Sequence, residues 1–179
     1  MTPAAVPEPV TPTAPALRGP VLMNQDWREL TMVHWAVDPG RLSAFMPPGV
    51  RPDVLEGRTY VGLVLFRMVD AAPGHGRGVP WLGTFLETNV RVYSVDETGR
   101  RGVVFLSLDC DRLAVGAGAR ATFGLPYRWA RMQHSRAADG GGDRHRYTSR
   151  LRRRGVPVDS RVEVRVRERV EPGPLDHFL

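Results

Sequence analysis

From Asp159 to Val170 apolar and charged residues alternate one for one. Val162, Val164, Val166 and Val170 fall on one side of an extended chain, and Arg161, Glu163, Arg165, Arg167 and Arg169 on the other; only Glu168 breaks the apolar side. A period of two is the pattern of a β-strand with one buried and one wet face. Much of the chain reads the same way. Thr59–Val69 is almost continuously apolar, as in a strand buried on both faces. Arg28–Val37 is rich in strand formers, and Arg144–Arg152 is a further strand. Thr84–Val95 and Gly102–Asp109 flank the turn residues Asp96-Glu97-Thr98-Gly99 and read as a β-hairpin.

Helices are few. Asp38 can cap a short one with Pro39 at its first position, carrying Leu42, Phe45 and Met46 on one side, and Pro47-Pro48-Gly49 stops it. Residues 111–122, with Leu113, Ala114, Val115, Ala117, Ala119 and Ala121, make a second, ended by Gly124-Leu125-Pro126. Strands outnumber helices without regular βαβ alternation, which argues against a doubly wound sheet. The expected class is mainly β, within α+β.

A chain of 179 residues suits one domain. Residues 1–20 are dominated by Pro, Ala and Thr, too poor in core residues to fold alone, and are expected as a disordered leader before a domain over 21–179. That opening stretch has neither the basic start nor the apolar run of a secretory signal, so the cytoplasm is the expected compartment. No apolar run is long enough to cross a bilayer as a helix, and no membrane partner is expected. One thiol, Cys110, cannot staple the fold; Asp109 and Asp111 beside it would raise its pKa, so it reads as structural. The net charge of +6 comes wholly from arginine, since the chain contains no lysine. Its arginines are spread along the sequence and many alternate with acids, which argues against a nucleic-acid partner.

Candidate chemistry is sparse. Gly116-Ala-Gly118-Ala-Arg-Ala121 resembles a dinucleotide fingerprint but lacks its βαβ context, so small residues for close helix packing explain it better. None of the five histidines pairs with another ligand residue at zinc spacing, and no metal or cofactor is expected. His34, between Val33 and Trp35, reads as structural. Pro73–Pro80 is glycine-rich, a flexible loop that could act as a lid. The run Arg150-Leu151-Arg152-Arg153-Arg154 reads as a solvated strand end and turn. Phe85, Glu87, Asn89, Arg91 and Tyr93 would share one strand face. An acid, an amide, a guanidinium and a phenol in one row are costly in a core unless they satisfy one another or face a cavity.

These residues also resemble a known family. Trp27, His34-Trp35, Val37-Asp38-Pro39, Pro47-Pro48-Gly49-Val50, Tyr60-Val61-Gly62, Glu87-Thr88-Asn89-Val90-Arg91-Val92-Tyr93, Leu125-Pro126-Tyr127 and Tyr147-Thr148-Ser149-Arg150 resemble, in order, the YqjF-like family of the acetoacetate decarboxylase-like superfamily. The resemblance runs from about Met23 to Leu179. It implies a curved antiparallel sheet closed into a barrel or cone around a small-molecule cavity. It also implies that Arg28 and Glu87 match an arginine and a glutamate of the decarboxylase site. Tyr127-Arg128, after Pro126, replace the lysine pair that carries the Schiff base. Without that amine no imine can form with a keto group. The family continues past Leu179, so Asp176-His177-Phe178-Leu179 reads as the opening turn of an interrupted helix. A longer form is expected to be more stable.

The first functional expectation is a domain that binds a small organic carboxylate through Arg28, Arg91 or Arg128, with Glu87, Asn89 and Tyr127 orienting it. The alternative is an enzyme, a lyase, isomerase or hydrolase, with Glu87 as acid–base catalyst and Tyr127 or Arg91 stabilising developing negative charge. A nucleic-acid-associated protein ranks last.

Overall fold

The computed structural model describes residues 5–11, 13, 16, 19–138, 140, 142–152, 155 and 158–179. Eight strands form one sheet: β1 (Met23–Val37), β2 (Val50–Pro52), β3 (Thr59–Pro73), β4 (Phe85–Asp96), β5 (Arg101–Cys110), β6 (Tyr127–Ala138), β7 (Asp143–Leu151) and β8 (Asp159–Arg165). Its order is β1-β3-β4-β5-β6-β7-β8, with β2 on β4. Among the described residues three helices accompany it: α1 (Pro39–Leu42), α2 (Leu113–Phe123) and α3 (Pro174–Phe178). No helix among the described residues is long and apolar enough to cross a membrane.

Local chemistry fixes several boundaries. Asp38 caps α1 by accepting from Gly40 N at 2.7 Å, with Pro39 at the first position. Phe45, expected to pack with Leu42, is 56% exposed in the 3-10 turn Ser43–Phe45 that follows. Asp96 Oδ1 accepts from Thr98 N, Thr98 Oγ1 and Arg100 N, which closes the β4–β5 hairpin. Gly124 ends α2 in the left-handed conformation at φ 65°. The Gly-rich loop after β3 is pinned rather than free: Val79 N donates to Ala71 O and Ala71 N to Gly83 O.

Four features depart from the sequence reading. β6 was not anticipated, because Tyr127–Ala138 alternates apolar and charged residues too irregularly to stand out. β8 stops at Arg165 although the alternation runs on to Val170; beyond Val166 N, which donates to Asp143 O, β7 has no residues left to pair. The ladder between β5 and β6 is parallel and only three pairs long, Leu108–Tyr127, Asp109–Arg128 and Cys110–Trp129. The leader does not wholly stand apart: Glu8 N donates to Gly99 O, Arg101 N to Glu8 Oε1, and Arg51 to Ala5 O. The rest of that leader is only partly described, and Arg153, Arg154, Val156 and Pro157 lie outside the described residues.

The sheet curls. β1 bulges between Arg28 and Thr31, with Glu29 in the left-handed region at φ 53°. Through this bulge side chains of β1 and β3 reach those of β6 and β7, although β4 and β5 lie between them in the sheet. The sheet is therefore concave on the face carrying Thr31, Arg67, His134 and Tyr147. The convex face carries Trp27, Val64, Phe66, Glu87, Asn89, Leu108 and Cys110. α2 covers one end of it, where Gly116 lies so close that an added Cβ would stand 3.1 Å from Cys110 Sγ. α3 covers the other end, with the Phe178 ring against Tyr60 and Tyr93. The core is Val64, Phe66, Met68, Phe85 and Cys110, with Trp27 stacked on Phe66 at 4.6 Å.

Candidate functional site

The polar row lies on β4 as its period requires. Glu87, Asn89, Arg91 and Tyr93 share the convex face and are all buried. Opposite them on β3 stand Phe66, Val64 and Gly62. Gly62 leaves the row its space: a Cβ there would meet His34 Nε2 at 3.0 Å and Arg91 Cγ at 3.4 Å. His34 Nε2 lies 2.8 Å from the Tyr93 hydroxyl, which also accepts from Arg91 at 2.9 Å. Burial first, and then the Arg91 charge, depress the affinity of His34 for a proton.

Glu87 lies at the other end of the row. The Tyr127 hydroxyl donates to its Oε2 at 2.8 Å, and Asn89 Nδ2 stands 3.5 Å from Oε1, long for a hydrogen bond. Burial pushes the Glu87 carboxyl above its ordinary range, against these hydrogen bonds, which pull it down. Burial and the Glu87 charge likewise push the Tyr127 phenol upward. Asn89 Oδ1 is buried without a partner. Turning the amide over would aim Oδ1 at Glu87 Oε1, where a proton on Glu87 would reach it. Cys110 pairs with Glu87 across β4 and β5, and burial pushes its thiol up to about 11, so it is no nucleophile at neutral pH.

Tyr127 has a second role. It lines an open cleft of about 540 Å³ between α2 and β6, together with Leu113, Gly116, Arg120, Trp129 and Arg152. Arg120 donates to Tyr127 O at 3.2 Å, and the Arg152 guanidinium lies 4.5 Å over the Trp129 ring. Arg128 also lines the cleft but its Nε is engaged by Asp109 at 2.6 Å.

The structure thus brings together Glu87, Asn89 and Tyr127, with Arg91 further along the same row. It does not bring Arg28 there. That side chain is 63% exposed, next to Asp26, and opposite Arg67 on the concave side of the sheet. Arg120, Trp129 and Arg152 were missed, because their approach depends on β6, which the sequence did not reveal.

A second polar cluster was also missed. On the concave face Glu29 Oε2 accepts from Arg67 Nε at 2.9 Å and lies 3.1 Å from His134 Nδ1. His134 Nε2 lies 3.0 Å from His145 Nδ1, and the rings of His134, His145 and Tyr147 stack. The Tyr147 hydroxyl donates to Glu29 O. These residues come from four strands, so sequence spacing carries no sign of them. Among the described residues no three His, Cys, Asp or Glu are placed to hold a metal ion.

Comparison with known proteins agrees with this architecture. Uncharacterized protein YqjF of Bacillus subtilis (strain 168) is 31% identical over 118 residues, 66% of this chain and 48% of that protein. The chain thus spans about half the length of this relative. The enduracididine biosynthesis enzyme MppR, complexed with the condensation product of pyruvate and imidazole 4-carboxaldehyde, superposes with a TM-score of 0.61 at 20% identity, covering 95% of this chain and 68% of that one. An acetoacetate decarboxylase-like enzyme from Sphingomonas wittichii RW1 gives 0.60 at 16% identity, covering 94% and 66%. At such identities these two structures speak for the fold alone. The family described as an uncharacterized conserved protein, DUF2071, matches residues 24–179. With that match, the YqjF relative and the shared curled sheet, the chain belongs to the DUF2071 family on an acetoacetate decarboxylase-like fold.

Proposed function

We propose that this chain binds a small organic carboxylate, of the 2-oxo acid kind, in the cleft beside Tyr127, without lysine Schiff-base chemistry. One observation carries the reading: Tyr127 lines an open arginine-rich cleft and hydrogen-bonds the buried Glu87. Arg120 and Arg152 have no carboxylate partner among the described residues, which leaves guanidinium N–H groups for a carboxylate. Trp129 and Leu113 supply apolar contact for the rest of a small ligand. An MppR structure holds pyruvate, which makes pyruvate the first ligand to try. Calorimetric titration with pyruvate and longer 2-oxo acids is the test. Binding should weaken by about tenfold or more in Arg152→Ala, the size of one lost charge-assisted hydrogen bond. Absence of binding, or binding indifferent to Arg152→Ala and Tyr127→Phe, would sink the proposal.

A second reading rests on the raised Glu87 carboxyl. A carboxyl whose hold on its proton is strengthened by burial, and which is hydrogen-bonded to the tyrosine that lines the cleft, can pass a proton to or from a bound keto acid. The chemistry would be enolisation: a proton leaves the carbon beside the carbonyl and the carbonyl oxygen gains one. Proton NMR in heavy water reads this as loss of the pyruvate methyl signal. Exchange no faster than in buffer, or unchanged in Glu87→Gln, would remove this reading and leave binding intact.

A further inference from the structure

Among the described residues, two groups of contacts on different strands tie the layer β6–β8 to the rest of the sheet. One is the three-pair parallel ladder beside the cleft. The other is the concave cluster, where Glu29 and Thr31 of β1 and Arg67 of β3 meet His134 of β6 and Tyr147 of β7. The cleft wall lies at the ladder end of this layer: Trp129 belongs to the ladder, Leu151 ends β7, and Arg152 follows it.

We propose that Glu29, His134 and His145 form a proton-operated clasp that holds the β6–β8 layer against β1 and β3. The hydrogen-bond geometry carries the argument. His134 Nδ1 faces the Glu29 carboxylate at 3.1 Å and Arg67 Nη2, a donor, at 3.4 Å; the closer, ionised Glu29 takes its hydrogen, which leaves Nε2 as an acceptor, so His145 must donate from Nδ1. One hydrogen fits between the two facing nitrogens. A first added proton can be absorbed by moving that hydrogen and changing the His145 tautomer. A second puts two N–H groups face to face at 3.0 Å, beside the Arg67 guanidinium. The contact then becomes repulsive and the clasp opens.

The surroundings of the pair set the direction. β1 presents Glu29 and β3 Arg67. β6 presents Arg136 opposite His145, ion-paired to Asp143, and β7 adds Tyr147 beside the rings. β8 presents only Val162 and Val164, opposite Tyr147 and His145. Burial, then His145 and Arg67, lower the proton affinity of His134 against the pull of Glu29. An open clasp returns the ring to water and to an ordinary value near 6.5. The clasp therefore contributes fully above about pH 6.5 and is lost as pH falls through the lower closed-state value.

Amide hydrogen exchange on the whole chain, corrected for intrinsic rates, tests this whether or not the cleft holds an anion. Between pH 7.5 and 5.5 the β6–β8 amides should lose protection by about tenfold while β3 and β4 keep theirs. His134→Gln and His145→Gln, neutral at both values, should abolish that difference. Equal loss in β3 and β4, no loss at all, or a pH difference that survives in both variants would overturn the clasp. If the variants do not fold, imidazole NMR on the unaltered chain decides. Two successive midpoints for the facing rings, the second below that of free histidine, support the clasp, and two rings that both charge at or above that value overturn it.

Discussion

The β3–β4 ladder and the β7–β8 ladder are both antiparallel, yet they carry charge in opposite ways. On β4 Glu87, Thr88, Asn89 and Arg91 are buried, with Val64, Leu65 and Phe66 of β3 beside them almost wholly out of solvent. On β7 and β8, Arg146 and Arg161 share Glu163, and Arg150 faces Asp159, all on a solvent-facing side. Exposed pairs of this kind contribute little and tolerate change. A polar group inside the β3–β4 layer must be satisfied or else destabilises the fold, so its presence there calls for a reason. Arginines on β7 and β8 keep a surface wet, while those on α2, β6 and after β7 gather at a cleft.

The sharpest way to break this contrast is to empty the core. Phe66→Ala removes a fully buried ring stacked on Trp27 and should cost about 3–5 kcal/mol in urea unfolding. Val164→Ala on half-buried β8 should cost about 1 kcal/mol. Equal losses would mean that the two layers are not different in kind. Next in size is Tyr127→Phe, which strips Glu87 Oε2 of its donor and should cost about 1–3 kcal/mol. A neutral outcome would mean that water replaces the hydroxyl and that Glu87 is less enclosed than its burial implies.

Glu87→Gln should act in the opposite direction, and more weakly. The folded carboxyl has its pKa raised, so the stability tied to it is full below about pH 4.5, the ordinary value, and is lost as pH rises through the folded value. The amide cannot ionise and should melt higher than the parent at pH 7.5, with the gap closing toward pH 4.5. A variant that melts lower at pH 7.5 would mean that Glu87 is held ionised. The smallest effect belongs to Glu163→Gln, which should leave the melting temperature unchanged within measurement error despite losing two ion pairs.

The convex polar row was legible because strand period is local: alternate side chains on β4 must share a face wherever the strand packs. Tyr127 could be placed beside Glu87 only through the family resemblance, since the two lie on strands that β5 separates. Arg28 shows the limit of such matching. Its position on β1 is near the site in sequence order, but the bulge and the pairing with Arg67 turn it to the other face. The Glu29–His134–His145 cluster lay beyond reach altogether.

The sequence by itself determined the strand-rich class, the short helix after Asp38, the hairpin turn at Asp96, the shared face of Glu87, Asn89 and Arg91, and the lack of any lysine for an imine within these residues. Each depends on steric or covalent facts that act over a few residues. Only the tertiary structure decided the parallel β5–β6 ladder, the curl that joins Glu29 to His134, and the meeting of Arg120, Trp129 and Arg152. These depend on which distant segments bury surface against one another. A strand with one apolar face can meet that need against several partners, and the choice among them is made only when the whole sheet closes.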